Sequence, residues 1–399
     1  MTSRAHSARP ITPPATIGML GGGQLGRMTA LAARSLGYGV HVLDPDANCS
    51  ASPVADRVVA ARFDDVDAAR DLASHCSVVT LEIEQIATEV LDAVSAYAPA
   101  RPGAAVIGVI QDRIRQKSWL SHNGFPVGPF RVVHSVDDIR ATLASFRRTF
   151  VKSSRGGFDG RGQALVSQAG EVDHAWKVVG SHAAVAEQAL DLAAEISVMV
   201  ARRPGGESAV YPIALNHHER HALSWSAMPA PVPKEIGDRA AALGLEIAAK
   251  LDVVGLLGIE MFLLASGELL VNELAPRPHN SFHASERACV TSQFEQLVRA
   301  VCDLPLGDTG ILRPAAIVNL FGDIWHGAEP PRFEGALEIP GARLHLYGKG
   351  EPRPARKMGH VSAVGETAMK ALEAARSSAA RVGAITEPPP VTLGAFGVT

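Results

Sequence analysis

Two acidic residues lie on what the sequence predicts to be one β-hairpin. The segments GIEMFLL and ELLVNEL flank Ser266 and Gly267, a pair typical of a two-residue turn. That turn places Glu260 directly opposite Glu273, and like charges opposed across a strand pair are destabilising. A divalent cation held by both carboxylates removes this conflict and is a common way to bind Mg²⁺ beside phosphates. The alternative is a carboxylate that is solvated at a sheet edge or paired with an arginine such as Arg277.

A lysine at a strand end precedes a glycine-rich segment. Lys152 ends a predicted strand and is one of only eight lysines in the chain. The segment after it combines glycines with charged side chains, namely Arg155, Gly156, Gly157, Asp159, Gly160, Arg161 and Gly162. Because glycines let backbone amides approach anionic oxygen closely, the segment predicts a flexible cover over phosphates. The pattern GxxxxGK[ST] is absent, which argues against a P-loop NTPase. An ordinary flexible hairpin with solvated charges is the alternative.

Basic side chains occur at two further places that are rich in proline and glycine. They belong to the segments PRPHNS (276–281) and KGEPRPARKMGH (349–360), and they are Arg277, His279, Lys349, Arg353, Arg356 and Lys357. Such a group can bind a phosphate monoester through charge-assisted and bidentate hydrogen bonds. A solvated loop is the alternative for each residue singly, and it is the interpretation that we keep for Arg353.

A glycine turn near the N-terminus has the spacing of a dinucleotide-binding loop. Gly21, Gly23 and Gly26 fit GxGxxG between a predicted strand and a predicted helix, and Asp44 ends the next strand. Backbone N–H groups at a helix N-terminus favour a phosphate, and the acid would hold a ribose hydroxyl. Taken alone, this segment slightly favours NAD binding. However, a Rossmann-like turn needs glycine for tight packing whatever it binds, and fold does not determine function.

The elements that position these residues divide the chain into three parts. Residues 1–112 are predicted to form a Rossmann-like α/β domain, with strands at 16–20, 40–44, 57–60 and 78–82 and helices between them. Residues 113–312 change to antiparallel strands and hairpins, which are typical of α+β architecture. Residues 313–385 are predicted to form a small β-rich domain, and residues 386–399 a loosely held tail.

Composition excludes several classes of protein. The chain has 399 residues, 47% hydrophobic and 20% charged, as in soluble globular proteins. A formal charge of −3 and an aromatic content of 5% predict neither a nucleic-acid nor a membrane partner. Four widely spaced cysteines predict free thiols in a reducing compartment rather than a disulfide framework. With no apolar signal segment or membrane span in the sequence, we expect a cytoplasmic protein.

Taken together, the motifs resemble those of the N5-carboxyaminoimidazole ribonucleotide synthase family, which are ATP-grasp ligases of purine biosynthesis. The segments that carry the resemblance are, in order, GGGQLGRM, VKSSRGGFDGRGQ, AEQALDLAAEISVMVAR, YPIALNHHER, GIEMF with GELLVNELAPRPHNS, ACVTSQFEQLVRAVCDLPLGD and ARKMGHV. The resemblance implies a Rossmann-like N-terminal domain, a central ATP-grasp fold that holds ATP between two α+β lobes, and a small β-rich C-terminal domain. It also implies a homodimer in which ATP, bicarbonate and 5-aminoimidazole ribonucleotide give ADP, phosphate and N5-carboxyaminoimidazole ribonucleotide.

The resemblance also implies roles for individual residues. The expected ATP site consists of Arg113, Lys152, Gly156, Gly157, Phe158, Asp159, Gly160, Arg161, Gly162, Glu187, Gln188, Ala189, Leu190, Glu195, His218, Asn272 and Glu273. The expected ribonucleotide site consists of Gln24, Leu25, Glu82, Asp159, Arg161, Arg277, His279, Asn280, Ser281, Lys349, Arg356 and Lys357. The residues expected to act in catalysis are Lys152, Asp159, Arg161 and Arg277, with Asp159 the candidate proton acceptor. Mg²⁺ is expected on Glu260, Glu273 and Asn272, although in an ideal strand Asn272 points to the opposite face.

On this interpretation the glycine turn forms a wall of the ribonucleotide site, so NAD is not needed and Asp44 has no ribose to hold. Three places depart from the family pattern: Phe158 stands where tyrosine is usual, Phe282 stands where glycine is usual, which crowds that turn, and Ser153 and Ser154 replace a stretch that is often more basic. Two other functions stay open. One is a sister ATP-grasp ligase, such as a formate-dependent glycinamide ribonucleotide transformylase. The other is an NAD-dependent oxidoreductase or a non-catalytic nucleotide-binding protein built on the first domain.

Overall fold

The computed structural model describes residues 9–156, 162–325 and 330–388. Its strands are β1 (Thr16–Leu20), β2 (Gly39–Asp44), β3 (Arg57–Ala60), β4 (Val78–Leu81), β5 (Phe130–Val133), β6 (Thr149–Ser153), β7 (Gln163–Val166), β8 (Ala184–Gln188), β9 (Leu192–Arg202), β10 (Ser208–Val210), β11 (Ala214–Glu219), β12 (Ala222–Met228), β13 (Gly255–Leu264), β14 (Leu269–Ala275), β15 (Ala315–Phe321), β16 (Arg343–Leu346) and β17 (Lys357–Val364). Its α-helices are α1 (Gln24–Ser35), α2 (Val66–Ser74), α3 (Thr88–Ser95), α4 (Ala104–Ile110), α5 (Arg113–His122), α6 (Val136–Phe146), α7 (Val172–Val178), α8 (Lys234–Lys250), α9 (Ser285–Ala288), α10 (Gln293–Val301) and α11 (Ala368–Ala380).

The N-terminal domain is built on a parallel sheet with the strand order β3-β2-β1-β4. Strand β1 is apolar at successive positions because both of its faces are covered, with Ile17 and Leu20 in separate buried clusters. Helix α2 begins where the Asp65 carboxylate accepts the Ala68 N–H at 3.0 Å, which satisfies one of the free amides of its first turn. The Rossmann-like architecture predicted for this part of the chain is confirmed.

A small lobe follows, formed by the antiparallel sheet β5-β8-β6-β7 with helices α6 and α7. Its core joins strand and helix side chains, among them Val151, Val166 and Ile139, all of which are fully buried. Lys152 stands near the end of β6, paired with Gln163 of β7 on one side. The alternation along β6 therefore buries one row of side chains and directs the other row, including Lys152, away from this core.

The largest sheet has the strand order β14-β13-β9-β11-β12-β15-β17-β16, with β10 on the edge of β9. The C-terminal strands continue the central sheet, because Trp225 of β12 pairs with Val318 of β15. The sequence predicted a β-rich C-terminal domain, and the strands are present. Helix α11 is an addition to that prediction: it begins at a Thr367 cap and buries Ala371, Leu372 and Ala375 against the sheet.

The first residues of the predicted tail are attached to the fold. The Glu387 carbonyl accepts the Trp225 Nε1–H at 3.1 Å, and the Glu387 N–H donates to Glu219 Oε1 at 2.9 Å. Residues 389–399 lie outside the described part of the chain. The cysteines Cys49, Cys76, Cys289 and Cys302 are all unpaired. Among the helices of the described ranges, none is long and apolar enough to cross a membrane.

Candidate active site

A cleft of about 810 Å³ lies where the N-terminal domain, the small lobe and the large sheet meet. The predicted residues that line it are Gln24, Leu25, Glu82, Arg113, Lys152, Gly156, Glu187, Gln188, Leu190, Glu195, His218, Glu260, Asn272, Glu273, Arg277, His279, Asn280, Lys349 and Lys357. Side chains from distant parts of the chain therefore converge on one space, because the glycine turn, the ends of the small-lobe strands and hairpin β13–β14 all face it.

The hairpin that carries the carboxylates has a longer turn than predicted. The Leu264 N–H donates to the Glu268 carbonyl at 3.0 Å, so the three residues 265–267 form the loop. Gly267 has a φ of +82°, which suits glycine and is typical of a three-residue hairpin loop. The predicted two-residue turn at Ser266 and Gly267 is wrong, and this error by itself would move the strand register by one residue.

A β-bulge in β14 restores the register. Near the turn, Met261 pairs with Val271. Further along, Glu260 pairs with Glu273, which leaves Asn272 as the extra residue on β14. The prediction that Glu260 faces Glu273 is confirmed. The bulge also turns Asn272 toward these carboxylates, since its Nδ2 donates to Glu260 Oε2 at 3.4 Å. The expectation that Asn272 points to the opposite face is therefore wrong.

The hairpin carboxylates are in electrostatic conflict. Burial and the nearby Glu273 carboxylate raise the pKa of Glu260. For Glu273, burial acts in the same direction, but Arg113 and Lys152 lower its pKa below the ordinary value. Arg113 Nη1 lies 3.2 Å from Glu273 Oε2, and His279 Nε2 lies 3.3 Å from Glu260 Oε1. Glu273 thus has a cationic partner, Arg113, whereas Glu260 favours the binding of a proton or a cation.

A second cluster of charges lies where the small lobe meets helix α5. Lys152 Nζ donates to Glu187 Oε2 at 2.8 Å. Lys117 Nζ lies 3.6 Å from the same oxygen. Burial alone would raise the pKa of Glu187, but Lys152 and Lys117 lower it to about 2. Glu187 is therefore ionised at neutral pH, and two lysines share one of its oxygens.

His218 and Glu195 form a further pair on the neighbouring strands β11 and β9. The Nδ1 atom of His218 lies 2.8 Å from Glu195 Oε2. Burial lowers the pKa of His218, but Glu195 outweighs this effect and raises it to about 9. The imidazole is consequently cationic at neutral pH, so this end of the cleft holds a partly buried ion pair.

The opposite end of the cleft joins the N-terminal and C-terminal parts of the chain. Gln24 Nε2 donates to Asn280 Oδ1 at 3.1 Å, and Lys349 Nζ donates to Gln24 Oε1. Lys349 Nζ also donates to the Lys357 carbonyl at 2.7 Å. Arg277 Nε lies 2.7 Å from Glu84 Oε1. These contacts place three basic side chains around one polar region.

Three comparisons with known proteins agree on the family. The chain matches the ribonucleotide synthetase preATP-grasp domain over residues 14–111, the ATP-grasp domain over 118–294, and the phosphoribosylaminoimidazole carboxylase C-terminal domain over 315–374. It is 39% identical to the N5-carboxyaminoimidazole ribonucleotide synthase of Bacillus subtilis, over 89% of this chain and 93% of that protein. The chain belongs to the N5-carboxyaminoimidazole ribonucleotide synthase family.

Solved structures of this family have the same fold. The enzyme from Staphylococcus aureus complexed with ADP is 32% identical, with a TM-score of 0.86 over 92% of this chain and 97% of that chain. The enzyme from Aspergillus clavatus in complex with ADP and 5-aminoimidazole ribonucleotide is 31% identical, with a TM-score of 0.85 over 93% of this chain and 99% of that chain. The predicted Rossmann-like, ATP-grasp and C-terminal domains are thereby confirmed as an architecture.

Within this family member, the glycine turn is closed by the protein's own carboxylates. The Gly23 and Gly26 N–H groups donate to Glu82 Oε1 and Oε2 at 2.6 and 2.8 Å, and the Gly22 N–H donates to Asp44 Oδ2 at 2.8 Å. A Cβ on residue 23 would lie 2.5 Å from Glu82 Oε1, which explains the glycine there. Glu82 therefore occupies the place at the start of α1 where a dinucleotide phosphate would bind. This geometry removes the structural basis for the NAD-dependent alternative.

Some predicted residues are not brought into the cleft. Of those that the structure describes, Gly162, Ala189, Ser281 and Arg356 do not line it. Ser281 is buried, and its carbonyl accepts the Ser226 hydroxyl at 2.8 Å. Arg356 Nη1 donates to the Glu351 carbonyl at 2.8 Å. Their proposed ligand contacts stay predictions, as do those of Gly157, Phe158, Asp159, Gly160 and Arg161, which lie outside the described residues.

Phe282 also departs from the family pattern, and its side chain is accommodated without crowding. Its ring is fully buried and meets the Tyr211 ring edge-on, with centroids 6.0 Å apart. It ends the 3₁₀ turn Asn280–Phe282, whose first residue, Asn280, lines the cleft. The larger side chain fills apolar space on the side away from the cleft lining.

Sequence reasoning missed several residues that hold the site. Lys117 and Glu84 are the charged ones, and Gln293 is a polar one: its side chain accepts the His279 N–H at 2.8 Å and donates to the His279 carbonyl at 3.0 Å. The spacing of Lys117 four residues after Arg113 on a polar helix was the available signal. For Glu84, the signal was its position just after a strand of the parallel sheet.

A histidine stack outside the cleft has the composition, but not the geometry, of a metal site. Glu286, His345 and His360 bring ligand atoms within 4.8 Å of one another. However, His345 and His360 are opposite each other in β16 and β17, with ring planes only 8° apart and centroids 4.5 Å apart. Lone pairs in parallel ring planes do not converge on one ion. Tyr347 Oη contacts His360 Nδ1 at 2.7 Å, and the stack serves as packing between the C-terminal strands and α9.

Proposed function

We propose that the chain catalyses the ATP-dependent carboxylation of 5-aminoimidazole ribonucleotide with bicarbonate, giving N5-carboxyaminoimidazole ribonucleotide, ADP and phosphate in purine biosynthesis. One observation carries the proposal. A single cleft joins opposed carboxylates and lysine-bearing strands at one end to a separate basic group at the other. Such a cleft suits two phosphorylated ligands, a nucleotide and a ribose phosphate, that must react with one another.

The end formed by the small lobe would bind ATP. Lys152 and Arg113 would contact its phosphates, while Glu187 and the backbone through Leu190 would hold adenine. Glu195 would bind the ribose, with His218 beside it as a further contact. The support is that all six of these residues line the cleft and that the lysine and arginine reach it from different elements, β6 and α5. The relatives crystallised with ADP bind it in this same fold.

Glu260, Glu273 and Asn272 would hold Mg²⁺. The residues present fit a hard cation because the two carboxylates are opposed across the strand pair. In addition, Asn272 Oδ1 is buried and has no hydrogen-bond partner in the described part of the chain, so an oxygen ligand is available. When bound, the ion would offset phosphate charge in the transition state.

The other end would bind the ribonucleotide. Arg277, Lys349 and Lys357 would meet its phosphate, and Gln24 with Asn280 would hydrogen-bond its polar groups. His279 is kept neutral because burial and nearby cations lower its pKa well below the ordinary value. It would therefore act as a hydrogen-bonding group rather than as a charge. Ser281, Arg356 and Glu82 belong to the same proposed set.

The chemistry would proceed in two steps. In the first step, a bicarbonate oxygen attacks the γ-phosphorus of ATP and the bond from that phosphorus to the bridging oxygen breaks. The products of this step are ADP and carboxyphosphate. In the second step, the exocyclic amine attacks the carboxyl carbon of carboxyphosphate and expels phosphate. Alternatively, carboxyphosphate first splits into CO₂ and phosphate, and the amine attacks CO₂. In both cases the nitrogen then loses a proton. Lys152 and Arg113 would neutralise charge on the phosphoryl oxygens, so positioning and electrostatics supply most of the catalysis. Asp159 is the proposed proton acceptor, Arg161 is a further proposed catalytic residue, and Arg277 would align the ribonucleotide.

We also propose that the protein is a cytoplasmic homodimer. Its unpaired cysteines fit a reducing compartment. Val290 and Leu312 are 53% and 69% exposed, and they flank the bridge between Cys289 and Ile311 on its two strands. Two exposed apolar side chains on one short bridge suit a contact between subunits.

The test is ADP release by the purified chain with 5-aminoimidazole ribonucleotide, with and without bicarbonate, alongside NAD(H) binding. We expect ADP release that needs both substrates, and no NAD(H) binding. ADP release with glycinamide ribonucleotide and formate instead would point to the sister ligase. NAD(H) binding without ADP release would overturn the proposal.

A further inference from the structure

Lys117 is a buried cation behind the nucleotide end of the cleft. Its side chain is on the same face of α5 as Arg113, and the residue is only 1% exposed. Its Nζ lies 3.6 Å from Glu187 Oε2 and 3.5 Å from the Val271 carbonyl oxygen. Lys117 does not belong to the described lining of the cleft, whereas Lys152 does. Of the two lysines at Glu187, Lys152 is the one that faces a ligand.

Glu187 needs a cation at all times. Its Oε2 is shared by Lys152 and Lys117, and its Oε1 is buried with no hydrogen-bond partner among the described residues. A buried carboxylate that loses its cation is strongly unfavourable. In this structure Lys152 is bound to Glu187 at 2.8 Å, and its single positive charge cannot neutralise both that carboxylate and a phosphate group.

We propose that Lys117 is a positioning residue that remains with Glu187 as its counter-ion, so that Lys152 can leave this carboxylate for the phosphate oxygens of the nucleotide. The proposal rests on the proposed function, in which Lys152 binds ATP. Arg113 is the other nearby cation, but in this structure it pairs with Glu273, 3.2 Å away, and no ion pair joins it to Glu187 among the described residues. Without Lys117, both Glu187 and the nucleotide would depend on one lysine.

The protonation of Lys117 agrees with this role. Burial lowers the pKa of Lys117 to about 8, and Glu187 opposes the decrease. Lys152 and Arg113 also lower the pKa of Lys117, whereas Glu273 raises it, as Glu187 does. The amine therefore remains mostly protonated at pH 7, where it can serve as a counter-ion.

A double-mutant cycle tests the proposal at pH 7 on the full chain, with ADP binding measured by calorimetry and ATP kinetics measured in parallel. We expect Lys117→Met to raise the Kd for ADP and the KM for ATP about tenfold or more, with kcat changed less than about threefold. In a Glu187→Gln background the same change should raise Kd less than about threefold, because no carboxylate remains to be compensated. Lys250→Met, at the exposed end of α8, is the matched control and should bind ADP like the wild type.

Equal losses of ADP affinity in both backgrounds would indicate a purely structural lysine and overturn the proposal. So would unchanged ADP binding by a folded Lys117→Met variant. If that variant does not fold, the pair Glu187→Gln and Lys117→Met/Glu187→Gln decides: a difference of tenfold or more between them would contradict the role given to Glu187. A wild-type chain that binds no ADP would instead refute the proposed function.

Discussion

The glycine turn of the N-terminal domain and the lysine cluster of the small lobe both surround a carboxylate with hydrogen-bond donors. At the turn, Glu82 accepts the N–H groups of Gly23 and Gly26 at 2.6 and 2.8 Å. In the cluster, Glu187 accepts from Lys152 at 2.8 Å, with Lys117 nearby. The donors differ: those at the turn are backbone amides, and those in the cluster are ends of flexible side chains.

This difference decides which region can exchange its anion. Backbone amides at a helix N-terminus cannot turn to a new partner unless the turn itself changes, so Glu82 closes that site. Lysine side chains rotate about several bonds, so Lys152 can move from Glu187 to a ligand oxygen. A sequence motif for anion binding is thus present at both places, but only in the lysine cluster can a donor leave its carboxylate and bind another anion.

The largest expected effect on the rate of ADP release comes from changing the opposed carboxylates, which lie in the cleft near the lysine cluster. Glu273→Gln should lower the rate of ADP release about 10²- to 10³-fold, because it removes a charge that helps to hold the cation at the phosphates. The measurement is steady-state ADP release with all three substrates. Glu268→Gln, on the exposed turn of the same hairpin, should retain wild-type activity. Normal activity of the Glu273 variant would contradict the metal site.

A substitution of Lys152 tests directly whether this lysine moves from Glu187 to the phosphate oxygens. Lys152→Met should raise the KM for ATP about 10- to 100-fold, since the proposed charge-assisted bonds to phosphate are lost. The control is Lys177→Met, which removes an exposed lysine from helix α7 of the same lobe. If the KM for ATP did not change in Lys152→Met, the assignment of this lysine to the phosphates would be wrong.

The nucleotide end should also show a pH-dependent contribution to the free energy of unfolding. The pKa of His218 is raised to about 9 by Glu195. Its charged form therefore stabilises the fold fully below its unfolded pKa of about 6.5, and this contribution disappears as the pH rises through about 9. We expect the wild type to exceed His218→Gln in free energy of unfolding by about 2 kcal/mol at pH 6, with the difference shrinking toward pH 10.

Urea unfolding at several pH values measures this difference. His122→Gln, at the exposed end of α5, provides the comparison for a histidine outside the cleft. A difference between wild type and His218→Gln that stays constant from pH 6 to pH 10 would show that the ion pair with Glu195 does not govern the stability.

The smallest expected effect concerns the closed turn. Glu82→Gln keeps an acceptor for one amide but places an NH₂ group opposite the other amide at the start of α1, so the free energy of unfolding should fall by about 1.5 kcal/mol. Urea unfolding compares it with Glu89→Gln, an exposed acid in the first turn of α3. NAD(H) binding by the wild type that rivals its ADP binding would contradict the closed state of the turn.

Much of the site could be predicted from the sequence because its residues belong to local patterns. Lys152 ends a strand, and the glycine segment follows it directly. Glu260 and Glu273 lie on one hairpin, so their opposition depends on a short stretch of chain. Even there, the predicted turn was one residue too short, and the pairing holds only because the bulge at Asn272 compensates. The direction of Asn272 could not be read from an ideal strand period.

Other parts of the site depend on contacts between distant segments. Arg277 is held by Glu84, and Lys349 bonds to Gln24, although neither pair is close in sequence. Lys117 was missed because a lysine on a short helix is usually solvated, whereas this one packs between β8 and β14. Ser281 and Arg356 were assigned through their motifs, yet their side chains do not line the cleft.

The sequence by itself determined the order and type of the main elements, the hairpin that carries Glu260 and Glu273, and the family to which the motifs belong. These depend on periodicity and spacing along the chain, which short-range geometry converts into structure. Only the tertiary structure decided that Glu82 closes the glycine turn, that Asn272 joins the carboxylates and that two lysines share Glu187. Which charges meet is set by the packing of remote segments, and in a buried site each charge must find its partner there.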